Sequence, residues 1–211
     1  MWALVEDNAI IKIINNPKTM VIGDVRHSKN IFSFRWTNEE REAIGIYEIV
    51  FDNSNKKDEE YYINTNQSFD YSDGQVIASY GTATPKQLTD INWTQEQIDD
   101  PSLVGKAPEG ADTDTVRIEG LKTIKIRQVK EASASILQKT DWYVVRKSDA
   151  GTAIPSAITN YRASIRIKSN EMETSINNAS DVPALETLYT YTTNDAGVTS
   201  RPLGEFPILE S

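Results

Sequence analysis

The chain has 211 residues, of which 31 are acidic and 22 are basic, so its formal net charge is -9. This acidic balance argues against a general nucleic-acid-binding protein, because such proteins need a basic face to displace counterions from phosphate. The sequence contains no cysteine, which excludes disulfides, thiolate nucleophiles and cysteine-ligated metals. The length allows one large domain or two small ones.

The sequence carries no signal for secretion or membrane insertion. Its first eight residues, MWALVEDN, lack the basic stretch and the long apolar core of a secretory signal. No segment approaches the roughly 20 apolar residues that a transmembrane helix needs. We therefore expect a protein that is made in a cytoplasm and is not inserted into a membrane.

Residues 1–83 predict a small β-rich module of antiparallel strands. Two apolar runs flank Asp7-Asn8, a pair typical of a two-residue hairpin turn. Residues 30–36 place an aromatic side chain at every second position, the pattern of a half-buried strand whose aromatic side faces inward. Further strands are predicted at residues 19–25, 46–51, 60–69 and 75–80.

One short helix is expected to interrupt these strands. The sequence from Thr37 to Glu40 has the capping-box pattern, in which the Thr37 hydroxyl and the Glu40 carboxylate satisfy N–H groups at a helix start. Gly45 follows soon afterwards, and a glycine at this place favours the end of a helix. The helix is therefore predicted to be only a few residues long.

Residues 84–116 differ in character from the module before them. They contain three prolines, two glycines and many Asp and Thr residues, but few apolar ones. A segment of this length without periodic structure is usually a linker or a binding arm. Trp93 is its one large aromatic residue, and we expect it to be buried against the body of the protein or against a partner.

Two amphipathic segments then predict a helical hairpin within residues 117–189. Apolar residues recur at mostly helical spacing in both segments, at Leu121, Ile124, Val129, Ala132 and Ile136, and at Ile158, Tyr161, Ile165, Met172 and Ile176. The connection between them is expected to be irregular, with Trp142 and Tyr143 sealing the open end of the hairpin. Pro155 suits the start of the second helix because its missing N–H is not needed there.

The last segments complete an α+β fold. Ser180 to Pro183 predict the start of a third short helix, which ends near Tyr189. Residues 190–211 are expected to form an extended, irregular tail. No heptad run or internal repeat is evident. The predicted organisation is thus a β-rich module, an arm, a helical hairpin with a short helix, and a tail, at residues 1–83, 84–116, 117–189 and 190–211.

No reaction centre is evident in the sequence. His27 is the single histidine, so neither a His-rich metal site nor a catalytic triad finds its usual partners. The acidic pairs Glu39-Glu40 and Glu59-Glu60 are adjacent in sequence, and neighbouring side chains diverge, which makes them poor acid/base pairs. We therefore expect no catalytic residue, no metal and no cofactor, and a carboxylate-dependent glycan hydrolase is the least favoured class.

Several arginines surround the predicted hairpin. Arg127, Arg146, Arg162 and Arg166 are the members of this group. Guanidinium groups grip phosphate or carboxylate bidentately, so an anion site is one interpretation. Ion pairs with residues such as Glu131 and Asp141 are the favoured one. Tyr161-Arg162 also suits a structural latch on the turn that contains Trp142.

These residues together carry a resemblance to a known family. The succession of Thr140-Asp141-Trp142, Pro155, Tyr161-Arg162 and Ile165-Arg166 resembles the C-terminal signature of tail-fibre assembly proteins of tailed phages. In that family a pattern like LL…TDW…P…YR…LR recurs on a helix–turn–helix. Residues 30–80 are also similar to phage tail-associated proteins, and the resemblance covers about half of the chain.

The resemblance implies a non-enzymatic protein that binds tail-fibre or tail subunits. Members of the family are similar to chaperones for trimeric receptor-binding fibres, and some are thought to stay on the fibre. The insert at residues 88–115 and the residues after Ile176 depart from the family and suit a protein that is retained in the virion tail in multiple copies. The partner-binding residues implied are Trp93, Trp142, Tyr143, Tyr161, Arg162 and Arg166.

A second interpretation is an adhesion module that binds a glycan on the host surface. The β-rich half would then present aromatic side chains such as Tyr71 or Tyr80, because sugars stack on exposed aromatic rings. Both interpretations place the protein in a virion, with the host cytoplasm as its location during assembly. Neither requires contact with nucleic acid.

Overall fold

The computed structural model describes residues 1–209. Strands are concentrated in the first part of the chain and helices in the second, so the fold is α+β, as predicted. The chain divides into two compact units, Met1–Thr84 and Pro85–Ser211. This division lies next to residue 83, where the sequence places the end of the β-rich module.

A five-stranded sheet organises the first unit. The strands of this unit are β1 (Trp2–Glu6), β2 (Ala9–Ile14), β3 (Met20–Ile22), β4 (Val25–His27), β5 (Ile46–Asp52), β6 (Tyr62–Ile63), β7 (Gln67–Ser72), β8 (Gln75–Tyr80) and β9 (Thr84–Pro85). The order in the main sheet is β2-β1-β5-β8-β7. The edge strands β2 and β7 approach each other, so the sheet curls. Two smaller ribbons, β3-β4 and β6-β9, complete the strand pairing.

The sheet is mixed rather than antiparallel. Strand β5 pairs with β8 in parallel, whereas the other neighbours in the sheet are antiparallel. The predicted hairpin at the start of the chain is confirmed, since Asp7 and Asn8 both adopt positive φ, at 49° and 61°. Two successive residues of positive φ are typical of the turn that matches the twist of a two-residue hairpin.

Both faces of the sheet bury apolar side chains. Because side chains alternate along a strand, Ala3 and Val5 belong to one apolar cluster and Leu4 to the other. The first cluster also contains Ile49, Val76 and Ala78, and the second contains Ile14, Ile31 and Ile46. The unit therefore has two small cores, one on each side of the sheet.

The strand predicted at residues 30–36 is wrong. The segment begins with a 3-10 helix, Lys29–Phe32, and the Phe34 side chain is 94% exposed instead of inward. The reason lies outside the segment. The buried guanidinium of Arg41 donates hydrogen bonds to the carbonyl oxygens of Ile31 (2.8 Å) and Ser33 (2.7 Å), and these bonds hold the backbone in a turn.

The predicted short helix is confirmed as α1 (Asn38–Glu42). Its capping box is present, with Glu40 N–H donating to the Thr37 hydroxyl and Thr37 N–H donating to the Glu40 carboxylate. Gly45 follows the helix with a φ of 81°, a backbone conformation that glycine adopts without cost. The local signals at both ends of this helix were therefore sufficient to place it.

The strand predicted at residues 60–69 is interrupted. It consists of β6 and the start of β7, with a break between them. At the break, the Asn64 side chain accepts a hydrogen bond from the Lys57 N–H and donates one to the Lys57 carbonyl, both at 2.9 Å. Hydrogen bonds from an Asn side chain to the backbone of another segment are an alternative to strand pairing, so the strand does not continue through Asn64.

The second unit is built from helices and short strands. Its helices are α2 (Gln95–Asp99), α3 (Leu121–Gln138), α4 (Asp141–Ala150), α5 (Ser156–Asn178) and α6 (Val182–Tyr189), and its strands are β10 (Ile91–Asn92), β11 (Val116–Ile118), β12 (Thr192–Thr193) and β13 (Thr199–Ser200). Helices α3 and α5 form the predicted hairpin, and α6 packs on α5. Within residues 1–209, no helix is both long enough and apolar enough to cross a membrane.

The α3–α5 pair is antiparallel, and polar contacts along its length fix the register. These contacts join Lys122 Nζ to the Asn177 carbonyl (2.7 Å), Lys130 to Glu173 (3.4 Å), and Arg162 to the Leu137 carbonyl (2.8 Å). Pro155 directly precedes α5, as predicted. The helices thus meet over nearly their whole length, and the register is set by side chains at both ends and in the middle.

The buried stripe of α5 has a heptad-like spacing that the sequence analysis missed. Steps of four and three residues alternate along it, through Ile158, Arg162, Ile165, Ser169, Met172 and Ile176. Two polar members, Arg162 and Ser169, hide the pattern when only apolar residues are considered. Tyr161 was expected in the stripe but is only half-buried. The facing stripe of α3 also includes polar residues and consists of Leu121, Lys125, Val129 and Ser133.

The segment at residues 84–116 is more ordered than a linker. It contains β10 and α2, and β10 pairs with β11 at its far end. Trp93 is buried, with 9% of its surface exposed, and its backbone N–H donates to the Thr115 carbonyl at 3.0 Å. The expectation that Trp93 is buried is therefore confirmed, and it is buried within the chain itself.

Helix α3 receives its N-terminal cap from a distant residue. Its own N-cap, Gly120, has no side chain, and the Asp90 carboxylate instead accepts hydrogen bonds from the Gly120 N–H (2.6 Å) and the Thr123 hydroxyl (2.9 Å). The Asp90 carboxylate therefore links the segment that precedes α2 to the first turn of α3. The carboxylate also lies at the positive end of the helix dipole.

We expect Asp90→Ala to lower the free energy of unfolding of the protein by about 1–2 kcal/mol, the usual cost of losing a helix cap. Urea denaturation followed by circular dichroism measures this change. Asp149→Ala is the control, because the Asp149 side chain is exposed and lies on α4 instead of at a helix start. Equal stability of the two variants would contradict a capping role for Asp90.

The tail is anchored rather than fully extended. Strands β12 and β13 form a small hairpin, and the Leu203 side chain is buried, while its N–H donates to the Leu188 carbonyl at 3.0 Å. The predicted third helix is confirmed as α6, with Asp181 as its cap and Pro183 in its first turn. Residues 210 and 211, part of the predicted tail, lie outside the described residues.

Candidate partner-binding surface at the helical elbow

A buried arginine holds the turn between α3 and α4. Arg162, on α5, donates hydrogen bonds to the Leu137 carbonyl (2.8 Å) and the Thr140 hydroxyl (2.6 Å), and it forms an ion pair with Asp141 (2.8 Å). Only 11% of its side chain is exposed. The predicted ion pair with Asp141 is thus present, and Arg162 acts as a clamp on the turn.

The connection of the hairpin is a helix, which corrects the expectation of an irregular segment. Helix α4 spans ten residues and ends at Gly151, whose φ of 67° allows its N–H to donate to the Lys147 carbonyl. Trp142 lies in the first turn of α4 and is 50% exposed, so it does not seal the hairpin. The contacts of Arg162 hold the turn at which α4 begins, and Trp142 is on the exposed side of that helix.

Neighbouring side chains of α4 form a cluster in which only Tyr143 is half-buried and the others are exposed. The rings of Trp142 and Tyr143 lie 3.8 Å apart between centroids, and the Arg146 guanidinium is 4.7 Å from the Trp142 ring. Val144 and Val145 are exposed beside them, at 42% and 64%. We call these five residues the elbow surface. Its valines were not singled out from the sequence, although two consecutive valines after an aromatic pair on a helix were a usable signal.

None of the ten residues of α4 is buried. An isolated helix of this length is marginal in water, since most helices in proteins are stabilised by packing of an apolar face. The elbow surface carries four apolar side chains and Arg146, and among the described residues only Tyr143 of this set is even half-buried. Trp, Tyr and Arg are also the residues that contribute most often to binding energy at protein interfaces. The arrangement is therefore suited to binding another protein.

The positive charges near the elbow surface are available to a partner. Lys139, Arg146 and Lys147 form no ion pair with any residue within 1–209. Arg127 pairs with Glu119, and that pairing raises the pKa of the guanidinium. Because Arg127 and Arg162 are already paired, the four arginines around the hairpin do not form one free anion site.

The structure separates the residues that the family resemblance had grouped. Trp142, Tyr143 and Arg162 lie at the elbow, the first two as contact residues and the third as the clamp beneath them. Tyr161 is half-buried, and Arg166 is exposed on α5, where its one hydrogen bond within residues 1–209 goes to the Arg162 carbonyl. Trp93 is buried in its own unit and does not offer a surface to a partner.

A second exposed region has the opposite charge. We call residues 96–114 the acidic arm, because they include six carboxylates and one lysine: Glu96, Asp99, Asp100, Glu109, Asp112 and Asp114, with Lys106. Hydrogen bonds from the Ser102 hydroxyl and N–H lower the pKa of Asp100, and the Thr115 hydroxyl lowers that of Asp112. Leu103 and Val104, in the same arm, are 51% and 43% exposed. The acidic arm thus combines ionised carboxylates with aliphatic surface.

The aromatic residues proposed for glycan stacking are differently placed. The Tyr71 hydroxyl donates to the Tyr47 hydroxyl at 3.1 Å, and the two rings pack edge to face, 4.9 Å apart. Tyr80 is half-buried, with Lys56 Nζ 5.8 Å from its ring centre. Neither ring is a flat, open platform of the kind that sugars stack on. In residues 1–209, no group of three His, Asp or Glu side chains is positioned to hold a metal ion.

The chain exposes a larger surface than compact monomers of its mass usually do. A compact monomer of 23.7 kDa exposes about 9,800 Å², whereas this chain exposes 13939 Å². If the two units buried nothing against each other, the expected surface would still be only about 11,800 Å², taking their masses from their residue numbers. About 2,100 Å² therefore remains in excess, whatever the arrangement of the units.

Comparison with known proteins finds no relative of this chain. No family model matches the chain, and neither the curated proteins nor the solved structures contain a match. The resemblance to tail-fibre assembly proteins therefore rests on the motif residues themselves, which here form the Arg162 clamp and the first turn of α4.

Proposed function

We propose that the protein is a non-enzymatic component of a bacteriophage tail that binds tail-fibre or tail subunits through the elbow surface. It serves either as a structural part of the virion or as a fibre-assembly factor. The observation that carries the proposal is α4, a ten-residue helix with no buried residue, in whose Trp142-Tyr143-Arg146 cluster Trp142 and Arg146 are exposed and Tyr143 is half-buried. Such a helix gains stability when another protein covers it.

The excess surface supports a role in a larger assembly. Stable protein interfaces bury about 800 Å² on each partner, and permanent complexes often bury more. The excess of about 2,100 Å² is in the range that subunits of permanent assemblies lose on association. Subunits of such assemblies need no reaction centre. On this proposal the protein acts without catalysis, cofactor, nucleic acid or membrane insertion.

The residues behind the family resemblance support the same surface. Thr140, Asp141 and Arg162 make the clamp, and Trp142 is the aromatic residue that the clamp leaves exposed. The TDW and YR motifs thus have a physical role, which is to present α4 at the end of the hairpin. The proposal locates the protein in the tail of the virion, with the host cytoplasm as the place of assembly.

Capture of a partner tests the proposal. The tagged chain is co-expressed with the neighbouring open reading frames, and the captured proteins are identified by mass spectrometry. We expect a tail-fibre or tail subunit to be captured, and we expect Val145→Asp to reduce its capture by about tenfold or more, because a charge replaces an interface side chain. Ile167→Asp is the matched control, since Ile167 is similarly exposed on α5 (59%).

Two results would contradict the proposal. One is capture of no tail or fibre protein by the wild-type chain. The other is equal capture by the Val145 and Ile167 variants, since the partner would then use another surface. Mass spectrometry of purified virions separates the two roles within the proposal. Presence of the chain in particles assigns it a structural role, and its absence assigns it to assembly.

A further inference from the structure

We propose that the elbow surface of one copy binds the acidic arm of a second copy, so that the chains associate head to tail. This inference rests on the proposed function, in which the protein is present in many copies in one assembly. It names a second copy of this chain as one of the subunits that cover α4. The interface is heterologous, because the two contacting surfaces are different parts of the chain.

Charge is the first argument for this pairing. The chain has a net charge of -9, yet Lys139, Arg146 and Lys147 cluster in sequence at the elbow without ion pairs among the described residues. Of the two acidic side chains in this stretch, Asp141 is paired with Arg162 and only Asp149 opposes these charges, so the elbow stays basic. The acidic arm holds six carboxylates and one lysine in 19 residues. Opposite potentials of this kind steer association and fix which surfaces meet.

Apolar surface is the second argument. Both regions expose aliphatic side chains beside their charges, at Val144 and Val145 on the elbow surface and at Leu103 and Val104 on the acidic arm. Binding therefore covers apolar surface on both sides while the charges at its rim pair. Because the elbow surface and the acidic arm are both exposed, neither covers the other within one chain.

The third argument is area. A head-to-tail assembly uses two different patches on every chain, each of about 800 Å² for an interface of standard size. Together these patches require about 1,600 Å² per chain. The chain exposes 13939 Å², so two patches of this size leave most of its surface free for another tail subunit.

Charge reversal with a matched rescue tests the inference on the full chain. One variant, Arg146→Glu/Lys147→Glu, makes the elbow acidic. The other, Glu96→Lys/Asp99→Lys/Asp114→Lys, leaves three carboxylates and four lysines in the arm and so makes it basic. All five side chains are exposed, and circular dichroism verifies that both variants fold. Sedimentation velocity measures their association alone and as an equimolar mixture.

We expect the wild-type chain to self-associate more weakly as salt concentration rises, and each variant alone to associate about tenfold or more weakly than the wild type. The mixture should recover association, because an acidic elbow then meets a basic arm, and an acidic arm meets a basic elbow. A monomeric wild-type chain, unaffected variants or a mixture that fails to recover would each overturn the inference.

The result of the self-association test can be distinguished from the result of the capture test of the proposed function. A wild-type chain that stays monomeric but captures a tail subunit through Val145 overturns the inference and leaves the function in place. A chain that self-associates by the rescue pattern but captures no tail or fibre protein supports the inference and contradicts the function.

Discussion

Replacing Arg162 with alanine is expected to lower the free energy of unfolding of the second unit by about 2–4 kcal/mol. The guanidinium donates to the Leu137 carbonyl and the Thr140 hydroxyl and pairs with Asp141. Loss of the side chain leaves a buried hydroxyl without its donor and opens space between α3 and α5. Asp141 is 53% exposed, so the ion pair contributes less than the buried hydrogen bonds do.

Urea denaturation followed by far-ultraviolet circular dichroism measures this loss. Arg166→Ala is the matched control, because Arg166 lies one turn further along α5 but is exposed, and its one hydrogen bond to the described part of the chain is a weak one of 3.3 Å. Arg162→Lys should fall between the two, since lysine keeps the charge but not the planar fork. If the alanine variants at 162 and 166 unfold at the same urea concentration, Arg162 is not a clamp.

The same clamp should control the elbow surface. Without Arg162, the turn at Thr140 and Asp141 loses its anchor, and α4 has no buried residue of its own to hold it in place. Partner capture should therefore fall in Arg162→Ala under conditions in which the unit is still folded. Stability and binding are in this way linked by one side chain.

Local chemistry was the part of the fold that the sequence predicted best. The Asp7-Asn8 turn, the Thr37 capping box and the start of α5 after Pro155 were all placed correctly. In each case, a few adjacent residues determine the backbone conformation through their own dihedral angles or hydrogen bonds. No contact with a distant segment is needed, so the sequence pattern is sufficient.

The predictions that failed depend on distant polar side chains. Arg41 turns the backbone at residues 31–33, where aromatic alternation had favoured a strand. Arg162 occupies the helix seam in place of Tyr161 and so leaves α4 outside the hairpin core. Apolar periodicity treats every arginine as a surface residue, although a buried arginine can satisfy several carbonyl groups at once. The motifs therefore drew attention to the residues around α4, but they did not indicate how those residues are arranged.

Replacing Gly45 with alanine is expected to destabilise the first unit by about 2–4 kcal/mol. Two effects combine at this position. The φ of 81° is strained for any residue with a Cβ. A Cβ atom here would also lie 2.6 Å from the Val5 carbonyl oxygen, and that oxygen belongs to a central strand. The sequence indicated the helix stop at Gly45 but not this close approach.

The Val5 backbone has little freedom to move away. Its N–H donates to the Gly45 carbonyl at 2.8 Å, and β1 is paired on both sides, with β2 and with β5. The strand also carries Ala3 and Leu4 into the two apolar clusters. Relieving the overlap between the added Cβ and the Val5 carbonyl oxygen therefore requires β1 to shift. Because side chains of β1 pack in both apolar clusters, we expect a loss of stability greater than that from the strained φ alone.

Gly74→Ala separates the two effects. Gly74 has a similar φ of 75° in the turn between β7 and β8, but no atom lies within 4 Å of a Cβ placed there. That variant should lose only about 1–2 kcal/mol, the cost of the left-handed conformation alone. The difference between the two midpoints in urea then measures the contact with Val5. Equal losses would mean that β1 yields to the added methyl group, and that the sheet is softer at this point than its pairing on both sides implies.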